Sequence, residues 1–173
     1  MPDTRRDVGD NTMSTFVHIT DARNRESIRR NGLRARGQKQ RGRPMVYLTP
    51  RLPNFVHTHQ WVRELKRWHG SATMIAVDIV LPDDEPVLVG HFGRGHRDCR
   101  AAEAVALIGS LADPAGYQVA VSRPLLASEI RRIRAIPQGV GWRYYPGAHG
   151  NSPCGCPICV QPGTAYGRRG RRS

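Results

Sequence analysis

The sequence has few aromatic residues, almost no lysine and no long apolar run. Aromatic residues make up 6% of the 173 residues, and only Lys39 and Lys66 among the 27 cationic residues are lysine. No apolar run reaches the length of a membrane span, and the polar N-terminus lacks the apolar stretch of a secretory signal. We therefore expect a cytoplasmic protein without a membrane partner. A composition with 18 Gly and 13 Pro also argues against a coiled coil or an all-helical bundle.

Several well-known catalytic motifs are missing as well. The sequence contains no P-loop, no dinucleotide-binding glycine fingerprint, no metalloprotease helix motif and no nucleophile elbow. Its net charge of +13 favours a polyanionic partner, and we expect that partner to be nucleic acid. The nucleotide composition of the source genome is an alternative explanation of the arginine content. Nothing in the sequence indicates the oligomeric state.

Changes in composition along the chain predict three regions. Residues 1–14 are polar without periodicity and predict a flexible arm, residues 15–136 predict one folded domain, and residues 137–173 form an extension that ends in a basic tail. Within the domain, helices are predicted after Asp21 and after Asn54. Strands are predicted at 15–20, 45–49, 73–81, 87–89 and 117–121.

Other segments of the domain give weaker signals. Residues 34–43 are basic and predict a loop that either grips phosphates or is simply solvated. Residues 90–100 contain two histidines and predict a flexible basic loop, whereas residues 101–111 fit a helix or a strand equally well. The spacing of Ile130, Ile133 and Ile136 predicts a short amphipathic turn.

Three cysteines lie close together near the C-terminus. Cys154, Cys156 and Cys159 fall within six residues, close enough to bind one cation through three thiolates, as structural zinc sites require. His149 is the nearest nitrogen donor for the fourth position, and Cys99 is the remote alternative. We therefore predict a small C-terminal zinc knuckle, with a group of unliganded thiols as the alternative.

Four segments of the domain together resemble the ADP-ribosyltransferase superfamily. They are FVHIT at 16–20, PMVYLT at 44–49, IAVDIV at 75–80 and YQVAVSRP at 117–124. Their order over residues 15–136 is similar to the branch that contains DNA-targeting ADP-ribosyltransferase toxins and, more distantly, RNA 2′-phosphotransferases. The resemblance implies an α+β fold in which a split, mostly antiparallel sheet with flanking helices clamps NAD in a cleft.

The resemblance also implies roles for residues on the first two of these segments. His18 would hydrogen-bond a ribose hydroxyl of NAD, Thr20 or the backbone beside it would fix the nicotinamide carboxamide, and Tyr47 would stack on the nicotinamide ring. Arg43 or Arg51 would neutralise the pyrophosphate. The alternative for His18 is a strand histidine satisfied by a neighbour, and the alternative for Tyr47 is a core aromatic residue.

The sequence departs from the family at the glutamate that orients the nicotinamide ribose. Gln118 stands at the aligned position, and an amide can bond ribose but offers no negative charge to an oxocarbenium-like transition state. Glu103, in the segment AAEAV, is the other candidate, and we favour it slightly as the working carboxylate. The alternative for Glu103 is a charged residue on the wet face of an amphipathic helix.

Two functions follow from these expectations. The first is NAD-dependent transfer of ADP-ribose to an acceptor, with nucleic acid as the expected acceptor and RNA 2′-phosphotransfer as a variant of the chemistry. The second is a nucleic-acid-binding module that keeps the scaffold but has weakened or lost turnover, as Gln118 would suggest. NAD as a substrate and structural zinc are the expected small-molecule and metal partners.

Overall fold

A computed structural model describes residues 12–53, 55–69 and 72–138, and these residues form seven strands and three α-helices. All strand pairs are antiparallel, in one sheet of order β5-β4-β6-β2-β1-β3-β7. This arrangement confirms the predicted α+β class and the antiparallel sheet. In chain order the elements are β1 (Met13–Asp21), α1 (Arg25–Asn31), β2 (Val46–Pro50), α2 (Phe55–His69), β3 (Met74–Pro82), β4 (Pro86–His91), β5 (His96–Arg100), α3 (Ala101–Ser110), β6 (Tyr117–Val121) and β7 (Ile130–Ala135).

The two ends of the predicted domain differ slightly from the observed elements. Met13 and Ser14, which the sequence places in the flexible arm, are the first residues of β1 and pair with Pro82 and Leu81. At the other end, the amide of Gln138 bonds both backbone groups of Met74 (2.9 and 2.7 Å). Residues 1–11 of the predicted arm and residues 139–173 of the C-terminal extension lie outside the described residues.

Helix α1 begins and ends where short-range chemistry predicts. The carboxylate of Asp21 accepts the backbone N–H of Arg23 (2.8 Å), which caps the 3₁₀ turn that leads into the helix. Gly32 ends the helix with φ +73°, a conformation that glycine adopts without a Cβ clash. The backbone of Leu33 then bonds that of Leu125 in both directions (2.8 Å), and this pairing fixes the chain between α1 and β2.

The hydrophobic core lies on both faces of the sheet. Alternation along β3 sends Val77 and Ile79 to the face that packs against α1 and α3, and sends Met74 and Ala76 to the face that packs against α2. The first cluster also contains Ile28, on α1. Because β3 is covered on both faces, its sequence is a nearly continuous apolar run, which is why it gives the strongest strand signal in the chain.

The predictions for residues 90–100 and for the region of Ile130 were wrong. The first segment is the end of β4, a turn and strand β5, which pairs with β4 from Pro86↔Arg100 to Gly90↔His96. The second is strand β7, which carries a register shift opposite Asp78 and Ile79. A bulge adds one residue to a strand, so Ile130 and Ile133 reach the same face despite a spacing that is typical of a helix.

The shortest ladder of the sheet is the one in its middle, between β1 and β2. β1 pairs with β3 along nine residues, but it pairs with β2 only at Phe16↔Pro50 and Val17↔Thr49. Two groups of strands, β1-β3-β7 and β2-β6-β4-β5, therefore meet through a two-residue ladder. The candidate site lies at this β1–β2 junction.

Candidate functional site at the β1–β2 junction

The ladder between β1 and β2 ends where a histidine side chain bonds the backbone carbonyl that the next strand pair would use. The N–H of Arg51 donates to the carbonyl of Thr15 (3.0 Å), and continuation of the same register would place Ile19 opposite Tyr47. Instead, Nδ1 of His18 lies 2.8 Å from the carbonyl oxygen of Tyr47. The imidazole therefore replaces a backbone donor at the junction.

This contact assigns the tautomer of His18. A carbonyl oxygen only accepts hydrogen bonds, so Nδ1 carries the proton. Burial lowers the pKa of His18 below its ordinary value, and the bond to Tyr47 opposes that effect only in part. The ring is accordingly neutral near pH 7, and Nε2 keeps a lone pair that can accept a hydrogen bond from a ligand hydroxyl.

Tyr47 is held in place by the segment that precedes β2. Its hydroxyl donates to the carbonyl of Gln38 (2.9 Å) and accepts from Nε2 of Gln40 (3.1 Å). The backbone of Gly37 lies against the ring, because a Cβ built there would be 2.9 Å from Cδ2 of Tyr47. Part of the segment predicted as a basic loop is thus ordered around the phenol.

Two further residues extend the contacts away from Tyr47. The ring of His96 meets that of Tyr47 edge to face at a centroid distance of 6.4 Å. Nε2 of His96 lies 3.3 Å from Nε2 of Gln118, which is buried on β6 beside β2. Burial lowers the pKa of His96, so this ring also favours the neutral form. The sequence predicts a loop rather than a strand at His96, because five strand residues without apolar alternation carry no strand signal.

Strand alternation places the rings of His18 and Tyr47 on different faces of the regular ladder. His18 has the orientation of Phe16 and pairs with Val77, on the α1 and α3 face. Tyr47 has the orientation of Thr49, which pairs with Val17 on the α2 face. A ligand that contacts both rings must therefore lie across the gap where the ladder ends.

The other residues expected to bind NAD have separate surroundings. Oγ1 of Thr20 accepts from Nδ2 of Asn24 (2.9 Å). Nη1 of Arg51 lies 3.6 Å from the buried carboxylate of Asp78, so its charge is shared with the fold. Arg43 is exposed and its backbone closes a bridge to Gln40. No hydrogen bond or ion pair within residues 12–53, 55–69 and 72–138 joins any of the three to His18.

Glu103 is in a different place from Gln118. It lies exposed in the first turn of α3, where Oε2 accepts the backbone N–H of Arg100 (3.0 Å). The N–H of Ala102, the residue before Glu103, donates to the carbonyl of Asp83 (3.1 Å). Ser14, at the start of β1, donates to the carboxylate of Asp83 (2.6 Å). This end of β1 is opposite to the end that carries His18. The contacts therefore connect Gln118, and not Glu103, to the ring of Tyr47.

Of the five candidate zinc ligands, only Cys99 is among the described residues. His149, Cys154, Cys156 and Cys159 all lie outside the described residues, whereas Cys99, the alternative fourth ligand, is half-buried on β5. Burial raises the pKa of the Cys99 thiol. Across the described part of the chain, no group of three or more His, Cys, Asp or Glu side chains is arranged to hold a metal ion.

Comparison of the chain with family models, with curated proteins and with solved structures finds no match. Among the helices that the structure describes, none combines the length and apolarity needed to cross a membrane.

Proposed function

We propose that this protein cleaves the bond between nicotinamide and ribose in NAD and transfers ADP-ribose to an acceptor, with nucleic acid as the acceptor class. The observation that carries the proposal is the imidazole of His18, held at the β1–β2 junction by the carbonyl of Tyr47. This bond uses Nδ1 and leaves Nε2 to accept from a ribose hydroxyl. Burial keeps the ring neutral, so this acceptor is present at neutral pH.

Tyr47 would supply the surface for nicotinamide. Its hydroxyl is already satisfied by Gln38 and Gln40, so the phenol contributes a fixed flat ring rather than a proton donor. For the pyrophosphate, exposed Arg43 is a better partner than Arg51, because Asp78 already shares the Arg51 charge. Thr20 would fix the carboxamide through the hydroxyl proton, since its oxygen already accepts from Asn24.

Gln118 supports a second candidate function. Its amide can bond a ribose hydroxyl, but it gives no charge stabilisation to the positive ribose that forms as nicotinamide leaves. A slow enzyme, or a nucleic-acid-binding module on the same scaffold, would fit this substitution. Glu103 would have to leave its cap on α3 to act at the junction, which makes Gln118 the better-placed partner of the two.

The experiment that tests the proposal follows NAD itself. The full chain is incubated with NAD labelled on the adenylate and with DNA or RNA oligonucleotides, and released nicotinamide and labelled oligonucleotide are measured. We expect His18→Ala to abolish release and Gln118→Glu to increase it, because a carboxylate then faces the developing cation. Glu103→Gln keeps an oxygen acceptor for the cap and serves as the matched control.

Two outcomes would contradict the proposal. If His18→Ala releases nicotinamide as fast as the wild type does, the β1–β2 junction is not the NAD site. Absence of release in both the wild type and Gln118→Glu, combined with salt-sensitive binding of oligonucleotides, would favour the binding module instead.

The cysteine cluster remains a proposal of its own. The donor set of three thiolates with His149 or Cys99 fits tetrahedral zinc, and such an ion would supply only structural cross-linking. We expect close to one equivalent of zinc in the purified chain, and we expect Cys156→Ser to lose it. A metal-free protein with an unchanged melting temperature would contradict this reading.

A further inference from the structure

A groove of about 310 Å³ lies between α1 and β7. Its walls carry four arginines, Arg25, Arg29, Arg131 and Arg132, and one acidic residue, Glu26. The wall on the sheet side is formed by β7 at its bulge, and the wall opposite is one side of α1. Four arginine residues and one glutamate residue therefore line this groove.

Most of this charge has no partner in the fold. Within the described residues, no hydrogen bond or ion pair engages the guanidinium of Arg25, Arg29 or Arg131. The guanidinium of Arg132 is the exception, because it lies 3.3 Å from Asp78 on the α2 face of the sheet and so is directed away from the groove. The groove is thus positive, and its charge is available to a ligand.

An arginine that stabilises this fold is paired with carboxylates, unlike three of the four groove arginines. Arg123 bonds Glu85 (2.8 Å) and Glu129 (2.7 Å), and these two carboxylates raise its pKa further. Clustering like charges without such counterions is unfavourable unless an anion binds between them. Guanidinium groups pair with phosphate through parallel hydrogen bonds, so a phosphate ester is the anion that this lining suits best.

The groove shares a row of the sheet with His18. His18 pairs with Val77, and Val77 pairs with Ile133, which lines the groove. Directly paired residues project to the same face, so His18 and the groove lie on the same side of the sheet. Two strand spacings amount to about 10 Å. This distance is the axial length of about three nucleotides of a strand.

We propose that the groove binds the sugar-phosphate backbone of a nucleic acid, and that it holds the strand next to the acceptor nucleotide. Backbone binding follows from the groove alone, whereas its role beside the acceptor rests on the proposed transferase function. Phosphate contacts of this kind fix the position of a strand without reading its sequence. The affinity is therefore expected to be insensitive to base sequence and to fall steeply as the salt concentration rises.

The test measures binding of a fluorescent single-stranded DNA oligonucleotide by the full chain without NAD. Arg29→Gln with Arg131→Gln removes two exposed groove charges that have no partner in the described part of the chain. The matched control is Arg94→Gln with Arg97→Gln, because these exposed arginines lie in the β4–β5 hairpin at the opposite edge of the sheet. Melting temperatures are measured to check that both double variants are folded.

We expect the groove variant to weaken binding at least tenfold and to reduce the salt slope by about two phosphate contacts, and we expect the control to change neither markedly. Equal weakening by both variants would overturn the groove as the site, and so would binding of a polyglutamate peptide as tightly as the oligonucleotide. These outcomes can be distinguished from those of the NAD experiment. If the groove variant binds the oligonucleotide as the wild type does while the wild type releases nicotinamide, only this inference is contradicted. If the groove variant loses binding as expected but the wild type releases no nicotinamide, only the transferase function is contradicted.

Discussion

The charged cluster around Asp78 makes a quantitative prediction about stability. Asp78 is 1% exposed on β3, and Nε of Arg134 lies 3.1 Å from both of its carboxylate oxygens. Arg132 and Arg51 add longer contacts at 3.3 and 3.6 Å. One buried charge thus depends on three cations, and the closest of these, Arg134, is itself only 23% exposed.

Asp78→Asn keeps the shape of the side chain and removes its charge. Breaking a fully buried ion pair costs about 3–5 kcal/mol, because the remaining charge has no partner. Here two of the three arginines are about half exposed and can be hydrated, so the penalty falls mainly on Arg134. We expect a loss of about 2–3 kcal/mol, or a decrease in melting temperature of roughly 5–10 °C for a chain of this size.

Urea unfolding followed by circular dichroism measures this loss, and the chain offers a matched control. Arg41 and Asp98 form an ion pair at 2.8 Å with side chains that are 61% and 73% exposed. Because exposed pairs contribute about 0–1 kcal/mol, Asp98→Asn is expected to have little effect. If Asp78→Asn costs no more than Asp98→Asn, the attraction to the arginines does no more than offset the desolvation of Asp78, and our account of the cluster is wrong.

Three further predictions concern backbone strain and pH. Gly32→Ala is expected to destabilise the fold by several kcal/mol, since its Cβ would overlap the carbonyl of Leu125, whereas Gly42→Ala, at a similar φ of +79° with open space around it, should cost only about 1–2 kcal/mol. Burial lowers the pKa of His57, so the unfolded chain takes up its proton first; stability should fall as the pH drops below about 6.5, and His57→Gln should flatten that fall. The hydrogen bond from Arg123 lowers the pKa of Glu129, so Glu129→Gln should lower the free energy of unfolding above about pH 4.5. The wild type should then lose more stability than the variant as the pH falls below about 4.5, and an equal loss in both proteins would contradict this.

Local signals in the sequence predicted much of the fold. Strand β3 is apolar on both faces and Gly32 ends a helix, so neighbouring residues alone identify these features. Strand β5 lacks apolar alternation and forms through its pairing with β4, which is a contact between distant residues. The sequence of strand β7 indicates a turn instead, because the bulge brings Ile130 and Ile133 to one face of the sheet at a spacing that is typical of a helix.

The candidate site shows the same division. The resemblance singled out His18 and Tyr47, and the structure brings the imidazole of one to the backbone of the other. It also singled out Gln118, but the contact of Gln118 with His96 depends on the register of three strands and has no local signature. The bond from Nδ1 of His18 was likewise invisible in the sequence, because it exists only where the β1–β2 ladder ends.

His18→Asn tests the junction most directly, because its amide can still donate to the carbonyl of Tyr47 while the acceptor at Nε2 is lost. The measurement is nicotinamide release from NAD by the wild type and by this variant, with melting temperatures to show that both remain folded. Our account predicts release by the wild type and none by the variant at a similar melting temperature. Equal release by the two proteins would contradict it.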